Sequence, residues 1–597
     1  MTDIKRSQVI FFILASLALA LAFLHTLQTI PNGSSHYFMI DVGETQIVLN
    51  VWGTLHATGY PLYVITGNIL TDVMTALGIS PVVAPALVSM LWGYITLGLI
   101  YWLAWRITRR LTLAVGLIMV FALTRTMWIH FSIAEIYTFG LMLQVGLILL
   151  ALWNTPDERR IYWLALLGGI AVAHHRATVM MIPALLYATY PAFIQNRHKL
   201  PRILVISLLL GVIGFSQYAY LYLRAQAGAD WVYGEPGTLN GLWTEFIGKE
   251  ASRFIGPAHS WDALLANFKL VNRVLVYDLT LPGLLLGIIG LGVGIRHHRR
   301  AGITFSLIGM AAYGFHVIAY RDVLSALILL ITLALAFGWL FLADALLNSR
   351  ISQARYVLPM IILATVSGLF IHNREFLYDL THDRTGIETI ELLESAPQNS
   401  TVMLAWGPRY FAASIGQLFL NRLQHIQLVD HKGEHHSGIL TPEYTLYNQP
   451  ISWWEARLNS PVYLQAVAPF IVQINTTPTI IDDVAEGIRA ASMTLTCQED
   501  SAILDVLWQT HEAPQEDFSV FVHGLDAEGN LVGQGDQYAP VYGWRPLTTW
   551  QAGEQIRDIY VVNATDITHV RFGLYRIQTT GEFENVLTYE VICDAQQ

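Results

Sequence analysis

The chain has 597 residues, of which 54% are hydrophobic and 13% are charged. It is too long and too apolar for one soluble domain, and its apolar runs approach the length that crosses a bilayer. The formal net charge is -10, and the lysines and arginines stand in short clusters beside apolar segments, which excludes an extended basic face for a nucleic acid. The composition therefore predicts an integral membrane protein whose basic clusters report its orientation.

The first apolar run covers residues 8–28 and follows Lys5 and Arg6. It is similar to a signal peptide, but it is long enough to span a membrane and many further apolar segments follow. We interpret it as a retained first helix. The positive-inside rule then places the N-terminus in the cytoplasm and the next polar segment on the outer face.

That polar segment carries Asp41 and Glu44, and His56 follows soon after. If residues 40–50 are helical, the two carboxylates at i and i+3 share one face and can act on a single substrate group. The alternative is that both acids only complement the dipole of a helix N-terminus. The spacing indicates a catalytic acidic pair and leaves the structural alternative open.

The segment 60–79 is apolar, but it contains Asn68 and Asp72 and is flanked by Pro61 and Pro81. If it crossed the membrane, the next helix would deliver the arginines between residues 106 and 110 to the outside, against the positive-inside rule. We therefore predict that 60–79 is an interfacial helix on the outer membrane surface.

The remaining apolar runs predict eleven spans in all, with the C-terminus outside, over residues 8–28, 83–105, 111–128, 132–153, 160–175, 177–194, 202–223, 276–295, 302–320, 324–347 and 355–372. In this topology the polar residues that do not set orientation gather at the outer ends of helices. Ionisable residues at membrane depth are costly, so this grouping indicates an extracytoplasmic site. The group comprises Asp41, Glu44, His56, Arg125, His130, Glu135, Tyr137, His174, His175, Arg176, Arg224, Glu235, Tyr320, Arg321 and Asp322.

The apolar spans cease after residue 372, so we predict that residues 1–372 form the membrane domain. Residues 373–490 mix helix-like and strand-like runs and predict a small α/β domain, whereas 491–597 contain short strands with turn residues and predict a β-sandwich. The only cysteines, Cys497 and Cys593, lie near the two ends of this last part, and we expect a disulfide if it is exported. The predicted fold class is a polytopic α-helical membrane protein with exoplasmic α/β and β-sandwich parts.

Several short motifs follow one another in order between residues 35 and 260. They read Asp41-Val-Gly-Glu44, His56-Ala-Thr-Gly-Tyr-Pro-Leu62, Ala134-Glu-Ile-Tyr137, His174-His-Arg-Ala-Thr178 and Tyr233-Gly-Glu-Pro-Gly-Thr-Leu239. With these motifs the chain resembles the GT-C class of membrane glycosyltransferases, most closely the bacterial relatives of the vertebrate transmembrane O-mannosyltransferase. Val42, the pair Ala57-Thr58 and Glu235 depart from the family pattern, which affects substrate identity more than reaction class.

The resemblance implies a polyprenyl-phosphate sugar as donor, with mannose as the candidate sugar, and an acceptor outside the cytoplasm that is a protein, a lipid or a glycan. It also implies that the first outer loop carries the catalytic acid. Because transfer needs a base for the acceptor proton, we assign Asp41 as the general base and Glu44 as a residue that orients the acceptor or tunes Asp41. The expected location is the cell membrane, as a multi-pass protein in contact with membrane lipid.

The departing phosphate needs a cation, and guanidinium groups bind phosphate oxygens in a fork. We assign donor phosphate binding to Arg176 and Arg224, helped by His174 or His175. The alternatives are that Arg224 snorkels at a span end and that the histidines cap a helix end. We place the acceptor or sugar pocket at His56, Tyr60, Glu135, Tyr137, Trp231 and Glu235, although Glu135 and Tyr137 also suit loop packing and Trp231 suits an interfacial belt.

His56, the two later histidines and the acidic pair are chemically able to bind a divalent metal, but no zinc-module spacing occurs, so we expect that no metal or other cofactor is required. Two other classes compete with the glycosyltransferase. A transporter or lipid flippase would place charges and broken helices near mid-membrane, whereas these charges collect at one face. A non-catalytic surface sensor built around the β-domain would not need the acidic pair.

Overall fold

The computed structural model describes residues 6–153, 157–249, 255–321, 325–350, 353–482, 484–578 and 581–593, with side chains described from residue 13 onward. The chain divides into two compact units, the first ending at Asp383 and the second beginning at Arg384. The first unit is helical, and the second contains all twelve β-strands that the described residues form. Asp322, one of the polar residues grouped from the sequence, lies outside the described residues.

The first unit contains sixteen α-helices within its described ranges. They are α1 Arg6–His25, α2 Val42–Val51, α3 Pro61–Ala76, α4 Ala84–Thr108, α5 Leu111–Ala122, α6 Arg125–Ser132, α7 Tyr137–Ala151, α8 Glu158–His174, α9 Ile182–Gln195, α10 Leu200–Phe215, α11 Ala219–Gln226, α12 Leu239–Ile247, α13 Trp261–His297, α14 Arg299–Ala319, α15 Ser325–Asn348 and α16 Ala354–Thr381. A 3₁₀ helix over Arg176–Met181 leads into α9.

Helix α15 lies at the centre of the first unit and is buried along most of its length. It approaches α13 closely because glycines face each other, and a Cβ added at Gly290 would come within 1.9 Å of the carbonyl oxygen of Gly338. On its other side the ring of Phe337 stacks on Phe305 of α14 at 3.9 Å between centroids. Small residues thus bring the central helices into contact, as is common between membrane helices.

Seven helices of the described chain are long and apolar enough to cross a membrane, and an eighth results if α5 and α6 count as one broken span. The fold class of a polytopic helical protein is therefore confirmed, whereas the count of eleven and its orientation stay predictions. The other three predicted spans correspond to α1, to α7 and to α8, of 20, 15 and 17 residues.

The span predicted over 111–128 corresponds to α5 and α6, which meet at a bend of 75°, and whether the pair crosses the membrane as one broken span stays a prediction. Thr124 is extended at the junction, and the backbone N–H of Thr126 donates to Oδ1 of Asp278 at 2.9 Å. A buried carboxylate from α13 thus satisfies a free amide at the start of α6 and stabilises the break. The α13 helix itself starts at Trp261, well before the predicted residue 276, and is kinked at Thr280.

The segment predicted to be interfacial forms α3, whose 16 residues are fewer than a span needs. It packs on α2 through Asn68, whose Nδ2 donates to the carbonyl of Val48 at 3.1 Å and whose Oδ1 accepts from the backbone N–H of Trp52 at 2.8 Å. The predicted helix is therefore present, and its polar residue holds the end of α2. Its position on the outer membrane surface stays a prediction.

The first half of the second unit is an α/β layer, as predicted. Strands β1 Ser400–Leu404, β2 Ile426–Asp430, β3 Ile439–Pro442, β4 Tyr463–Ala468 and β5 Ile471–Asn475 form one sheet in the order β2-β1-β3-β5-β4. Strand β1 is parallel to β2 and to β3, and the other pairs are antiparallel. The associated helices are α17 Thr385–Glu394, α18 Pro408–Phe419, α19 Thr445–Asn448 and α20 Ile451–Leu458.

The rest of the second unit consists of two antiparallel sheets, ordered β10-β7-β6 and β12-β11-β8-β9. Their strands are β6 Ile488–Cys497, β7 Ser501–Thr510, β8 Ser519–Leu525, β9 Leu531–Gln534, β10 Gln555–Asn563, β11 His569–Ile577 and β12 Phe583–Ile592. The sheets pack face to face, with the buried ring of Trp508 5.9 Å from Phe572. The predicted β-sandwich is present, and Cys497 is disulfide-bonded to Cys593 as expected.

The predicted domain boundaries need adjustment. Helix α16 continues through residue 372 to Thr381, so the first unit ends later than predicted. The boundary at 490 falls within β6, and a single hydrophobic cluster contains Met403 of the α/β layer together with Trp508 of the sandwich. The α/β and sandwich parts therefore share one core and form one unit.

Candidate active site

Asp41 and Glu44 stand at the start of α2, as predicted, but their environments differ sharply. The side chain of Asp41 is 42% exposed, whereas that of Glu44 is 1% exposed. Asp41 occupies the N-cap position and makes no capping hydrogen bond with its side chain. Its carboxylate is therefore not used for helix capping and faces outward beside a buried acid.

His56 lies between the two acids. Its Nδ1 is 2.7 Å from Oε2 of Glu44, and its Nε2 is 3.6 Å from Oδ2 of Asp41. The hydroxyl of Tyr60 lies 3.5 Å from the same Nε2 and donates to the carbonyl of Ala57 at 3.2 Å. Both ring nitrogens thus face a carboxylate, which is the arrangement that suits a protonated imidazolium.

The two carboxylates and the imidazole affect one another's pKa. Desolvation by burial lowers the pKa of His56, but Asp41 and Glu44 outweigh it and raise that pKa to about 10. Burial raises the pKa of Glu44, an effect that the His56 charge opposes. At neutral pH the ring is therefore positive and pairs with the buried Glu44.

The loop that carries His56 is anchored to the end of α8 and to α11. Thr58 donates from its hydroxyl to the carbonyl of His174 at 3.0 Å. Gly59 has φ +85°, and a Cβ there would meet Leu221 at 2.4 Å. The ring of Tyr60 lies 5.4 Å from that of His174 and 6.2 Å from that of His175. The two histidines therefore support the loop from below.

Glu135 lies in the turn before α7, next to this cluster, and Tyr137 is the first residue of that helix. The backbone N–H of Glu135 donates to Oγ of Ser89 at 2.9 Å, and its own Oε2 accepts from the N–H of Ile136 at 3.1 Å. Its buried carboxyl interacts electrostatically with Asp41 and with His56. Glu135 is thus electrostatically coupled to the cluster, and Tyr137 packs its ring 4.6 Å from His130.

The residues assigned to phosphate binding are engaged with backbone groups. The Nδ1 of His175 accepts from the N–H of Ala177 at 3.1 Å and caps the 3₁₀ helix, which supports the structural alternative for this histidine. Arg176 donates to the carbonyls of Phe246 and Ile247 at the end of α12. Arg224 donates through Nε to the carbonyl of Trp52 at 2.6 Å. Neither arginine forms an ion pair with a carboxylate among the described residues.

The two predicted sugar contacts Trp231 and Glu235 lie in different environments. The carbonyl of Trp231 accepts from the N–H of Thr54 at 2.9 Å, and the N–H of Tyr233 donates to Oγ1 of Thr54 at 2.9 Å. This segment therefore lies along the loop that carries His56. Glu235 is exposed, and no contact joins it to the acids in the described part of the chain.

Two residues near the acids were not assigned from the sequence. The ring of Tyr233 lies 6.3 Å from His56, edge to face, and Thr58 joins the loop to α8. Tyr233 is the first residue of the motif at residues 233–239, so its place in that motif could have identified it from the sequence. Thr58 departs from the family pattern and carries no such signal.

Asp41, Glu44 and His56 offer ligand atoms within 4.8 Å of one another, a spacing that a metal ion can bridge. As placed, His56 directs one nitrogen to each carboxylate, so a metal in the centre would require the ring to turn. The expectation that no metal is required stays a prediction.

Comparison with known proteins gives three findings. Residues 41–198 match the family described as the Protein O-mannosyl-transferase TMEM260 N-terminal domain. The Protein O-mannosyl-transferase tmem260 of Dictyostelium discoideum is 23% identical over 272 residues, which cover 42% of this chain and 33% of that protein. This chain thus matches about a third of the length of that relative. The resemblance expected from the motifs is confirmed over these residues.

Among solved structures, two of ArnT from Cupriavidus metallidurans are similar. The one bound to undecaprenyl phosphate has a TM-score of 0.48 and 13% identity, covering 79% of this chain and 99% of that chain. The apo structure has a TM-score of 0.47 and 12% identity, covering 79% and 98%.

Proposed function

We propose that this O-mannosyltransferase-like membrane protein is a glycosyltransferase of the GT-C type. It transfers a sugar, mannose as first candidate, from a polyprenyl-phosphate donor to an acceptor outside the cytoplasm. The observation that carries the proposal is the cluster in which His56 lies between the exposed Asp41 and the buried Glu44, at 3.6 and 2.7 Å. This cluster falls within the first unit and at the start of the matched residues 41–198.

Asp41 is the general base in this proposal. It is the carboxylate that an acceptor hydroxyl can reach, because Glu44 is buried and its Oε2 is taken by His56. The Nε2 of His56, 3.6 Å away, orients the Asp41 carboxylate that takes the proton in this proposal. Glu44 holds the ring in place and is a positioning residue.

The reaction follows from these roles. The acceptor hydroxyl gives its proton to Asp41 as its oxygen bonds to the anomeric carbon of the sugar. The bond from that carbon to the phosphate oxygen breaks, and the electron pair leaves with the polyprenyl phosphate. The negative charge that develops on the phosphate requires a cation close to the breaking bond.

We assign the stabilisation of this phosphate charge to the guanidinium groups of Arg176 and Arg224. Both donate to backbone carbonyls, which are neutral acceptors, at the end of α12 and at Trp52. Exchange of a carbonyl for a phosphate oxygen gains a charge-assisted hydrogen bond, so both groups can serve a donor without leaving a paired carboxylate behind. Tyr233 and Trp231, on the segment beside His56, are the candidate sugar contacts.

The proposed setting is the cell membrane, with the N-terminus in the cytoplasm and the second unit outside. The multi-pass character of the first unit supports this setting, as does the order of basic clusters along the chain. The acceptor is a protein, a lipid or a glycan of the envelope.

The test is transfer of radiolabelled sugar from a panel of polyprenyl-phosphate sugars to host envelope extract by purified wild type and by Asp41→Asn. We expect product from the wild type alone, and the labelled band identifies the acceptor class. No transfer from any donor by folded protein contradicts the proposed function. If both proteins transfer sugar equally, the glycosyltransferase activity is supported, but the general base is Glu44 and not Asp41.

A further inference from the structure

A positively charged cavity lies at the end of the helix bundle that is far from Asp41. It has a volume of about 330 Å³ and lies between α4, α7 and the start of α14. Ser89, which contacts Glu135, and Arg106, which lines this cavity, both belong to α4. Seventeen residues of helix separate them, about 26 Å along the axis, which approaches the thickness of the hydrocarbon core. The cavity therefore opens near the opposite membrane face.

The ionisable residues that line this cavity are all basic. Arg106, Arg299, Arg300 and His298 line it, and none of the described lining residues is acidic. His298 is paired with Asp344 at 3.0 Å, and Arg110 takes the other oxygen of the same carboxylate at 2.9 Å. The carboxylate of Asp344 is thus shared by two cations and forms no ion pair with an arginine of the wall within the described part of the chain.

Two of these arginines are available to a ligand. Arg299 is exposed, and its side chain makes no hydrogen bond or ion pair with another described residue. Arg106 makes a cation–π contact, with its guanidinium 4.1 Å from the ring of Trp153, and no ion pair in the described ranges. Arg300, in contrast, is held by the carbonyls of Ala188 and Ala151 at 2.9 and 2.6 Å and contributes charge from a fixed position.

The backbone adds to the positive potential. Arg299, Arg300 and Ala301 form the first turn of α14 and line the cavity, and the N-cap His298 makes no capping hydrogen bond with its side chain. The free amides of a helix start favour an anion. Arg160, which is buried beside Arg300 on the shared carbonyl of Trp153, leaves Nε and Nη2 without a hydrogen-bond partner. Within the described residues, this region therefore contains guanidinium donors that have no acceptor.

The remaining walls are apolar and include Leu103, Ile107 and Leu149. The ring of Trp153 lies 5.5 Å from that of Trp102, which is exposed, in the manner of an interfacial aromatic belt. A cavity with a guanidinium floor and apolar walls at the membrane surface suits a ligand with an anionic head and hydrocarbon chains. Basic pockets of this kind on the cytoplasmic side bind acidic lipid head groups.

We propose that this cavity is a binding site for the phosphate ester of an anionic phospholipid, on the membrane face opposite to the Asp41 cluster. Arg106 and Arg299 contact the phosphate, and the first turn of α14 donates backbone hydrogen bonds. This site is independent of the proposed transfer reaction.

The experiment measures the affinity of the purified, delipidated full chain for three probes at matched ionic strength. They are dihexanoyl phosphatidylglycerol, dihexanoyl phosphatidylcholine and inorganic phosphate, with native mass spectrometry as readout. The test variant is Arg106→Gln with Arg299→Gln. The matched control is Arg197→Gln with Arg296→Gln, which removes two exposed arginines that do not line the cavity.

We expect phosphatidylglycerol to bind at least tenfold more tightly than phosphatidylcholine, and the test variant to lose about tenfold or more of that affinity, on the order of one charge-assisted contact. The control should bind as the wild type does. Equal binding by test variant and wild type, or an equal loss in the control, overturns the site. Inorganic phosphate that binds as tightly as the lipid overturns the lipid assignment.

If the double variant fails to fold, Arg299→Gln alone serves, because its exposed side chain contacts no described partner. A measurable loss of lipid affinity with an unchanged melting temperature supports the site, and an unchanged affinity contradicts it.

Discussion

The Nδ1 of His56 lies 2.7 Å from Oε2 of the buried Glu44. Because the other ring nitrogen faces Asp41, the imidazole links a carboxylate that is closed to solvent with one that is open to it. A buried acid of this kind would be costly to ionise alone, and the imidazolium offsets that cost. The pair therefore holds the loop after α2 in place and positions the His56 ring beside the candidate base Asp41.

The two acids should respond differently to amide substitution. Asp41→Asn is expected to lower kcat by about 10²–10⁴-fold through loss of the base, and to destabilise the protein less than Glu44→Gln does, since its side chain is partly exposed and solvent screens its charge. Glu44→Gln should instead destabilise the protein by about 1–3 kcal/mol, because it weakens a buried charged hydrogen bond. Transfer kinetics and thermal melts of both variants check this. A larger loss of stability in Asp41→Asn than in Glu44→Gln would contradict these roles.

The contribution of His56 to stability should fall as pH rises. Its pKa is raised to about 10 in the folded protein from an ordinary value of 6.5, so the folded state binds the extra proton between these values. The stabilisation is complete below pH 6.5 and is lost as pH rises through about 10. Melting temperatures of wild type and His56→Gln should differ most near pH 6 and converge toward pH 10. Because Glu135 also interacts electrostatically with His56, both proteins carry Glu135→Gln in this comparison. A gap that widens with pH would refute the assignment.

Gly59 should be sensitive to substitution because of its neighbour as well as its backbone. Gly59→Ala places a Cβ 2.4 Å from Leu221 at φ +85°, whereas Gly78→Ala has a similar φ of +88° with nothing within 4 Å. Both variants bear the left-handed backbone cost of about 1 kcal/mol, and Gly59→Ala should lose about 1–3 kcal/mol more. Thermal melts measure the difference, and Leu221→Ala should reduce it. Equal losses at both glycines would show that the contact is unimportant.

Substitution of Arg224 should show whether this residue binds the donor phosphate or only supports the structure. If it binds phosphate, Arg224→Gln raises KM for the polyprenyl-phosphate sugar about tenfold or more, on the scale of one charge-assisted hydrogen bond. If it only supports the carbonyl of Trp52, the melting temperature falls and KM stays constant. Arg273→Gln, an exposed arginine on α13, is the control for net charge. Steady-state kinetics against donor concentration decide between the two results.

The disulfide should stabilise the second unit. It closes a separation of 96 residues, and chain-entropy arguments give about 3–5 kcal/mol for a loop of that size. Cys497→Ala with Cys593→Ala should therefore lower the melting transition of this unit while the transfer kinetics of the first unit persist. Maleimide labelling of folded wild type should require a reductant first. Labelling of two thiols without reductant in protein from an oxidising compartment would contradict the bond.

Much of the fold follows from local sequence patterns. Apolar runs of membrane length, and alternating strands between turn residues, depend on neighbours along the chain and so can be identified without a structure. The α3 helix was predicted from charge order alone and is present with 16 residues. The break between α5 and α6 was not, because it depends on Asp278, more than 150 residues away, satisfying the amide of Thr126.

The amino-acid sequence is enough to predict a multi-pass protein with two acids and a histidine beside its first span, because composition and short spacings carry that information. Which of the two acids is exposed could be learned only from the folded structure, since the burial of Glu44 depends on the packing of α2 and on the position of His56 between the acids. The same holds for the exposure of Glu235 and for the approach of Tyr233 to the ring of His56. The chemistry of each side chain is local, but its environment is set by residues far away in the chain.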